Sequence, residues 1–480
     1  MKVPKATKSQ GSESKSSTRK EGSKGKQTIS KKIREKKDAD TSSAGIVPKS
    51  CAVQKRAGHH SILHYLYKNT LGQNLHSQLR QCLQEPFVRS LSSYHYHGAE
   101  SPFDRRITFL EWHPTHPSTL AVGSKGGDLF LWDYEDGARK SFIQGNGAGD
   151  SIWGMKFCPT DPSKVYVSSG EGTVTLKSFE HRPSTVLTRV QDCGHEQHNV
   201  CHWYCCLDLS VSRQMLATGD NVGNLYLLSM DGQKIYGDKL HKAKVTHAEF
   251  NPRCDWLLAT SSVDHSVKLW DLRNLKDKNS FLYELPHEKA VNAAYFNPMD
   301  CSKLLTTDQY DQIRIYASSD WSKPQHVIQH PHRQFQHLTP IKATWHPTYD
   351  LIVVGRYPDV RVCPGDLKTT DIYDSNTEEL VYQLYDPSAP GIKSVNKFSP
   401  MGDVVASGMS STVLVWDRDE TLLNNRHKQT VERSAPVDLL RGQRRTQPRS
   451  RDRAPPVDKR LKKKLLSLQE TLTKTRGKRK

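Results

Sequence analysis

Nowhere in these 480 residues does an apolar run approach the roughly 18 residues needed to cross a membrane. The opening Met-Lys-Val-Pro-Lys is followed by no apolar core of a secretion signal. The ten cysteines fall into no paired framework, so disulfide stapling is not expected. Gly-x-Ser-x-Gly, a phosphate-binding glycine loop and His-Glu-x-x-His are all missing, which leaves a catalytic role without a motif. These absences lead to the expectation of a reduced, intracellular, soluble protein that is not an enzyme and carries no cofactor.

Acidic residues are also short: 51 Asp and Glu stand against 70 Lys and Arg, a formal charge of +19. The excess lies at the ends. Residues 1–57 carry a net +11 and residues 441–480 a net +13, which leaves the middle at about −5. A polyanion partner would therefore meet either the tails or a local basic patch. Residues 1–57 hold too little apolar surface to offset chain entropy and are expected to be disordered, as is the C-terminal tail. Lys31-Lys-Ile-Arg-Glu-Lys-Lys37 reads as a nuclear-import signal or as a solubilising charge run, and Lys459-Arg-Leu-Lys-Lys-Lys464 is a second such cluster. Leu461 to Leu472 could form a short amphipathic helix.

What fills the middle is a repeat. Phe250-Asn-Pro-Arg-Cys-Asp-Trp-Leu-Leu-Ala-Thr-Ser-Ser-Val-Asp-His-Ser-Val-Lys-Leu-Trp-Asp-Leu-Arg273 reads as two strands with turn chemistry between them, and it ends on the Trp-Asp pair of WD40 repeats. Corners of the same kind open at Trp112, Phe157, Phe296, Trp345 and Phe398, each followed by a Pro two residues on, with a seventh at Leu209 that lacks the proline. From the opening aromatic to the closing one the gap is 20 residues in three copies, 112 to 132, 250 to 270 and 296 to 316. The fold expected is all-β: a seven-bladed WD40 β-propeller over 102–420, closed into a ring that leaves no open sheet edges. Blade six is stretched between Trp345 and Tyr373 by a segment that includes Arg356 to Pro364.

Before the propeller, segment 58–101 reads as a helical hairpin. Ile62, Leu63, Leu66 and Tyr67 share helical spacing. After Gly72, Leu75, Leu79 and Leu83 recur every four residues up to Pro86, and Leu91 continues the stripe. It could lie on the propeller as a lid or dock onto a partner. Residues 421–480 form the last segment. Cys193 to Cys206 is dense in Cys and His but lacks structural-zinc spacing, and its end falls where a first strand of blade three should run, so no metal is expected.

The loop Pro331-His-Arg-Gln-Phe-Gln-His-Leu-Thr-Pro340 places Phe335 among polar residues. Phe335 either folds back under the loop or acts as a wedge between base steps, with Gln336 and His337 filling the vacated space and Arg333 holding a phosphate.

Long strings carry a resemblance beyond the repeats: Pro102-Phe-Asp-Arg-Arg106, Trp112 to Thr119, Val122 to Asp128, Thr218 to Asn224, Lys244-Val-Thr-His247, Phe335 to Lys342 and Val354 to Asp359. Over about Ile62 to Trp416 the chain resembles the family of damage-specific DNA-binding small subunits, the xeroderma pigmentosum group E family. That resemblance implies recognition of ultraviolet-damaged duplex DNA at the start of global-genome nucleotide excision repair. Phe335, Gln336 and His337 would enter the minor groove while the lesion is extruded. A photodimer is already badly stacked and costs less to flip. Arg105, Lys125, Lys244, Arg333 and Tyr357 would contact phosphates or line the pocket, with Trp203 near the lesion. The resemblance also implies docking through the helical hairpin onto the large subunit of the damage-binding heterodimer, the adaptor of a cullin–RING ubiquitin ligase. Histones and repair factors would be the nearby substrates and the nucleus, on chromatin, the location. Trp270-Asp-Leu-Arg273 matches the Trp-Asp-x-Arg signature of such receptors, so Asp271 and Arg273 join the expected partner surface, although Arg273 could instead pin its own corner. The resemblance is poor in blade six after Asp359, and the tail beyond about 430 has no counterpart. The competing expectation is a protein–protein scaffold whose tails bind nucleic acid nonspecifically.

Overall fold

The computed structural model describes residues 70, 76–180, 183–190, 202–332, 339–359, 361 and 363–418. Strand-forming runs of Leu, Val, Ile and Thr are separated by Asp-, Ser- and Gly-bearing turns, and they fold into seven antiparallel four-stranded sheets. Six blades are contiguous in sequence, with first strands at Ile107–Trp112, Ile152–Phe157, Asp208–Ser210, Val245–Phe250, Val291–Phe296 and Thr344–Trp345. Blade seven is composite. Lys393–Phe398, Val405–Met409 and Thr412–Arg418 pair in order, and Tyr94–Glu100 completes the sheet on Thr412–Arg418. The propeller's strands thus begin at Tyr94, inside the segment assigned from sequence to docking. Closing the ring needs a strand from the other end of the repeat array, and the Tyr94 hydroxyl donates to the Asp403 carbonyl at 2.6 Å to help hold it.

The corner aromatics lie in one row of the ladder. Trp112, Leu120 and Trp132 are cross-strand partners, as are Phe250, Leu258 and Trp270, and Phe296, Leu304 and Tyr316. All nine are buried. The 20-residue spacing in the sequence is therefore a shared register. In blade four a polar relay ties the row to the turn. The Trp270 indole donates to Thr260 Oγ1 at 2.8 Å, His241 Nε2 lies 2.7 Å from the same oxygen, and its Nδ1 lies 3.0 Å from Asp264.

One residue before each corner points into the central channel: Glu111, Lys156, Asp208, Glu249, Tyr295, Thr344 and Lys397. Lys156 pairs with Asp208 at 3.0 Å and Lys397 with Glu111 at 2.7 Å, so the charges on this belt are matched inside the barrel. Burial, with Asp208 next, pushes the Glu249 carboxyl well up, and its Oε2 accepts the Phe296 amide at 2.6 Å.

The helix runs His76–Ser90 and passes through Pro86, where the sequence expectation ended it. Proline leaves one i−4 carbonyl without its donor, but the turn beyond it is held from outside. Phe87 packs on His346, Tyr349 and Phe398, and Leu91 beyond the helix is fully buried in the same cluster. No helix among the described residues is long and apolar enough to cross a membrane.

Candidate nucleic-acid interface

Alternating strand direction sorts the connections. Turns between first and second strands, and between third and fourth, open on one face; second-to-third turns and the links between blades open on the other. Arg105, Trp203 and Lys244 lie in blade-to-blade links, and Lys125 and Tyr357 in second-to-third connections. All five therefore lie on the link face, where Lys125 and Lys244 line the mouth of a channel of about 700 Å³. Arg333, Phe335, Gln336 and His337 lie outside the described residues, within the link from blade five to blade six.

The mouth is basic and not neutralised. Arg106, Lys125 and Lys244 line it, and none of them has an ion-pair partner among the described residues. The Arg106 Nε is buried with no hydrogen-bond partner, and burial lowers the guanidinium's pKa. Lys125 is lowered as well, by burial first and then by Arg106 and Arg105 beside it. Uncompensated like charges of this kind favour an incoming anion. The Lys244 ammonium sits 4.0 Å from the centre of the Trp153 ring, so a cation and an aromatic plane share one spot. Trp203 is half-buried, and its amide is held by Asn221 Oδ1 at 3.0 Å. The adjoining turn is fixed by Asp220 Oδ1, which accepts the amides of Val222, Gly223 and Asn224, all at 2.9 Å. Gly223 has φ +108°, and a Cβ there would fall 2.2 Å from the His241 carbonyl, so only glycine fits.

The two ends of the undescribed loop are anchored. It starts just after the fourth strand of blade five, His326–Gln329. His330 and His332 are buried and stacked at 5.2 Å. His332 Nε2 donates to the Asp308 carbonyl at 3.0 Å, and burial, then His330, pushes its pKa down to about 3. The Pro331 carbonyl accepts the Tyr357 amide at 2.7 Å, which ties the loop to the blade-six insertion. Beyond the loop, Thr339 Oγ1 donates to the Ile107 carbonyl at 2.7 Å and Asn292 Nδ2 to that of Ile341 at 3.2 Å. Arg106, Trp153 and the His330–His332 pair were missed from sequence. Arg106 could have been found as the neighbour of Arg105; Trp153 has no signal of its own beyond following the first residue of a blade strand.

The expected partner residues that are described, Leu79, Leu83, Asp271 and Arg273, lie on the opposite face. Leu79 is half-buried and Leu83 is 36% exposed. Arg80 and Gln84, one residue later, face the propeller instead. Arg80 reaches Asp300 at 3.2 Å and Asp350 at 3.1 Å, and Gln84 Nε2 reaches Asp374 at 2.8 Å. The leucines are thus turned roughly 100° away from the packed side. Ile62, Leu63, Leu66 and Leu75 lie outside the described residues. Asp271 and Arg273 sit on this face too. Arg273 Nε lies 3.0 Å from Asp271 Oδ1, and its guanidinium stacks 4.1 Å from the Trp256 ring centre, so it pins its own corner. Of the dense Cys/His stretch, Cys205 and Cys206 are buried in blade three, hydrogen-bonded across it by backbone and sulfur. Among the described residues no cluster of His, Cys, Asp or Glu is placed to hold a metal.

A closed seven-bladed ring with Trp-Asp-ended strands and a relay from turn to indole defines a WD-repeat β-propeller. Residues 232–271 and 378–417 match the family model for the WD domain, G-beta repeat. The chain is 60% identical over 423 residues to the DNA damage-binding protein 2 of Danio rerio, which covers 87% of this chain and 84% of that one. It is 58% identical to the Gallus gallus protein of that name, covering 87% and 83%. To the Arabidopsis thaliana Protein DAMAGED DNA-BINDING 2 it is 32% identical over 65% of this chain and 57% of that one. The chain belongs to the DNA damage-binding protein 2 family.

Proposed function

We propose that this chain is a non-catalytic sensor of damaged duplex DNA that works in the nucleus at the start of nucleotide excision repair. The observation that carries the reading is the placement of Arg105, Lys125, Trp203, Lys244 and Tyr357 on one face, with Lys125 and Lys244 at an unneutralised basic mouth. The relatives' printed names point the same way. Phe335, Gln336 and His337 enter the minor groove from a loop whose ends are clamped by His332, Tyr357 and Thr339. A rigid base lets the wedge spend binding energy on unstacking the lesion instead of on ordering the loop. Arg105, Lys125, Lys244, Arg333 and Tyr357 hold the deformed backbone, and Trp203 lies against the extruded lesion.

The opposite face serves a second partner. Leu79 and Leu83, with Ile62, Leu63, Leu66 and Leu75, form an apolar stripe for the large subunit of the damage-binding heterodimer. Through that adaptor the chain is a substrate receptor of a cullin–RING ubiquitin ligase acting on histones and repair factors. Asp271 and Arg273 extend the same surface. DNA and adaptor are then engaged without competition, because they use opposite faces.

The test is duplex binding at one stated salt concentration, with and without a photoproduct. It compares the full chain, a chain shortened to 58–430, and the shortened chain with Phe335, Gln336 and His337 changed to Ala. Damage preference should survive loss of the tails and drop at least tenfold in the triple variant, with weak general binding kept. Preference that follows the tails, or persists in the triple variant, overturns the wedge and leaves a scaffold with nonspecific basic tails.

A further inference from the structure

Below the mouth, two residues above the charged belt on the blade-six wall, stands Lys342. It stands between the mouth and the paired belt. Phe109, Cys205 and Val395 line the same space, and no carboxylate or hydrogen-bond acceptor holds its ammonium among the described residues. The channel falls within the 300–1,000 Å³ of small-ligand sites and opens on the face where a base would be turned out.

Resting on the damage-sensing reading above, we propose that Lys342 is a nucleophile that captures abasic DNA as a reversible imine. The Nζ lone pair adds to the C1′ aldehyde of the ring-opened deoxyribose. The C=O bond becomes the C–O bond of a carbinolamine, whose hydroxyl takes up a proton and leaves as water, giving C1′=Nζ. No oxidant or reductant enters. An abasic site is the lesion that suits this chemistry, since it presents an aldehyde and has no base to unstack.

Two further observations agree. Burial, and the Lys244 ammonium nearby, bring the Lys342 amine down to about 8. Cys205 and Cys206 would oppose this if charged, but burial lifts both thiols to about 12 and keeps them neutral. At pH 7 such an amine is free about one time in ten, against roughly one in three thousand for an ordinary lysine. His247 occupies the matching position on the blade-four wall, two residues above Glu249, with its Nε2 buried and unpartnered. Its ring rests on Tyr295 at 4.3 Å, and burial, then Lys342, keeps it neutral, which suits it to hydrogen-bond the carbinolamine oxygen.

The full-length protein is mixed with a duplex containing one uracil converted to an abasic site, sodium cyanoborohydride is added, and the adduct is mapped by peptide mass spectrometry. The adduct is expected on the peptide that carries Lys342. Lys342→Arg, which keeps the charge, should lower its yield at least tenfold and leave affinity for an ultraviolet-irradiated duplex within twofold. Adducts confined to the tail lysines, or an undiminished yield in Lys342→Arg, would overturn the proposal. Should Lys342→Arg fail to fold, the wild-type adduct map decides the matter alone. A protein that fails to prefer irradiated DNA refutes the sensing reading, whereas preference without a Lys342 adduct refutes only the imine.

Discussion

Arg273 shows how one side chain can be ambiguous in sequence and specific in space. Its guanidinium is bound to the buried Asp271 carboxylate and to the Trp256 ring, yet it remains more than half exposed. Exposed pairs of this kind contribute little, and a Lys at the position would keep charge but lose the fork and the stacking. Arg273→Lys should therefore shift the urea unfolding midpoint only slightly. Adaptor affinity measured on the same variant separates the two roles. A loss of tenfold or more, with stability nearly intact, marks a direct contact, and unchanged affinity confines Arg273 to its corner. The relay from Trp270 to Asp264 belongs to the same scale. Burial works against the Asp264 carboxylate, but the hydrogen bond and charge of His241 hold its pKa well below the usual range, so the carboxylate stays charged to hold the corner.

At the scale of the element, the helix His76–Ser90 explains both a success and a failure of reading from sequence. A leucine stripe every four residues is a local signal, and the two of its leucines that are described, Leu79 and Leu83, lie off the packed side. That this face would turn aside while Arg80 and Gln84 packed inward was not legible, because their partners Asp300, Asp350 and Asp374 lie 220 to 290 residues away. Blade rows were legible for the opposite reason: each repeats the same short-range register. The closing strand Tyr94–Glu100 carries two His and a Gly and has its only strand partner at the far end of the chain, so nothing nearby announced it. Pro86 sits inside the helix without ending it, which implies a weak turn. Pro86→Ala should restore the donor to that turn and raise its hydrogen-exchange protection by about 1–3 kcal/mol. No gain, or a loss, would mean that the proline ring itself is part of the packing.

At the scale of the molecule, buried histidines are the acid-sensitive groups that stand out among the described residues. Burial first of all pushes His287 and His332 down to about 3 and His346 to about 4. Each binds its proton more readily in the unfolded chain, near 6.5, than in the fold. Their contribution is thus whole above about pH 6.5 and shrinks as pH falls toward the folded values. Glu249 works in the opposite sense, since its raised pKa favours the fold as it takes up a proton. Between pH 7.5 and 5.5 a net loss of roughly 3 kcal/mol is expected, measured from urea midpoints across that range. A flat profile would mean that these rings are charged in the native state.

The composite seventh blade ties the ring to the timing of synthesis. Tyr94–Glu100 leaves the ribosome roughly 300 residues before Thr412–Arg418, the strand it must pair with. At 5–20 residues per second, that is about 15–60 s in which an edge strand and the leucine-bearing helix just ahead of it have no final home. The segment that seals the propeller is also continuous with the one proposed to meet the adaptor. Whatever covers both during that interval has to arrive before the last strand does, which makes closure of the ring a matter of order in time.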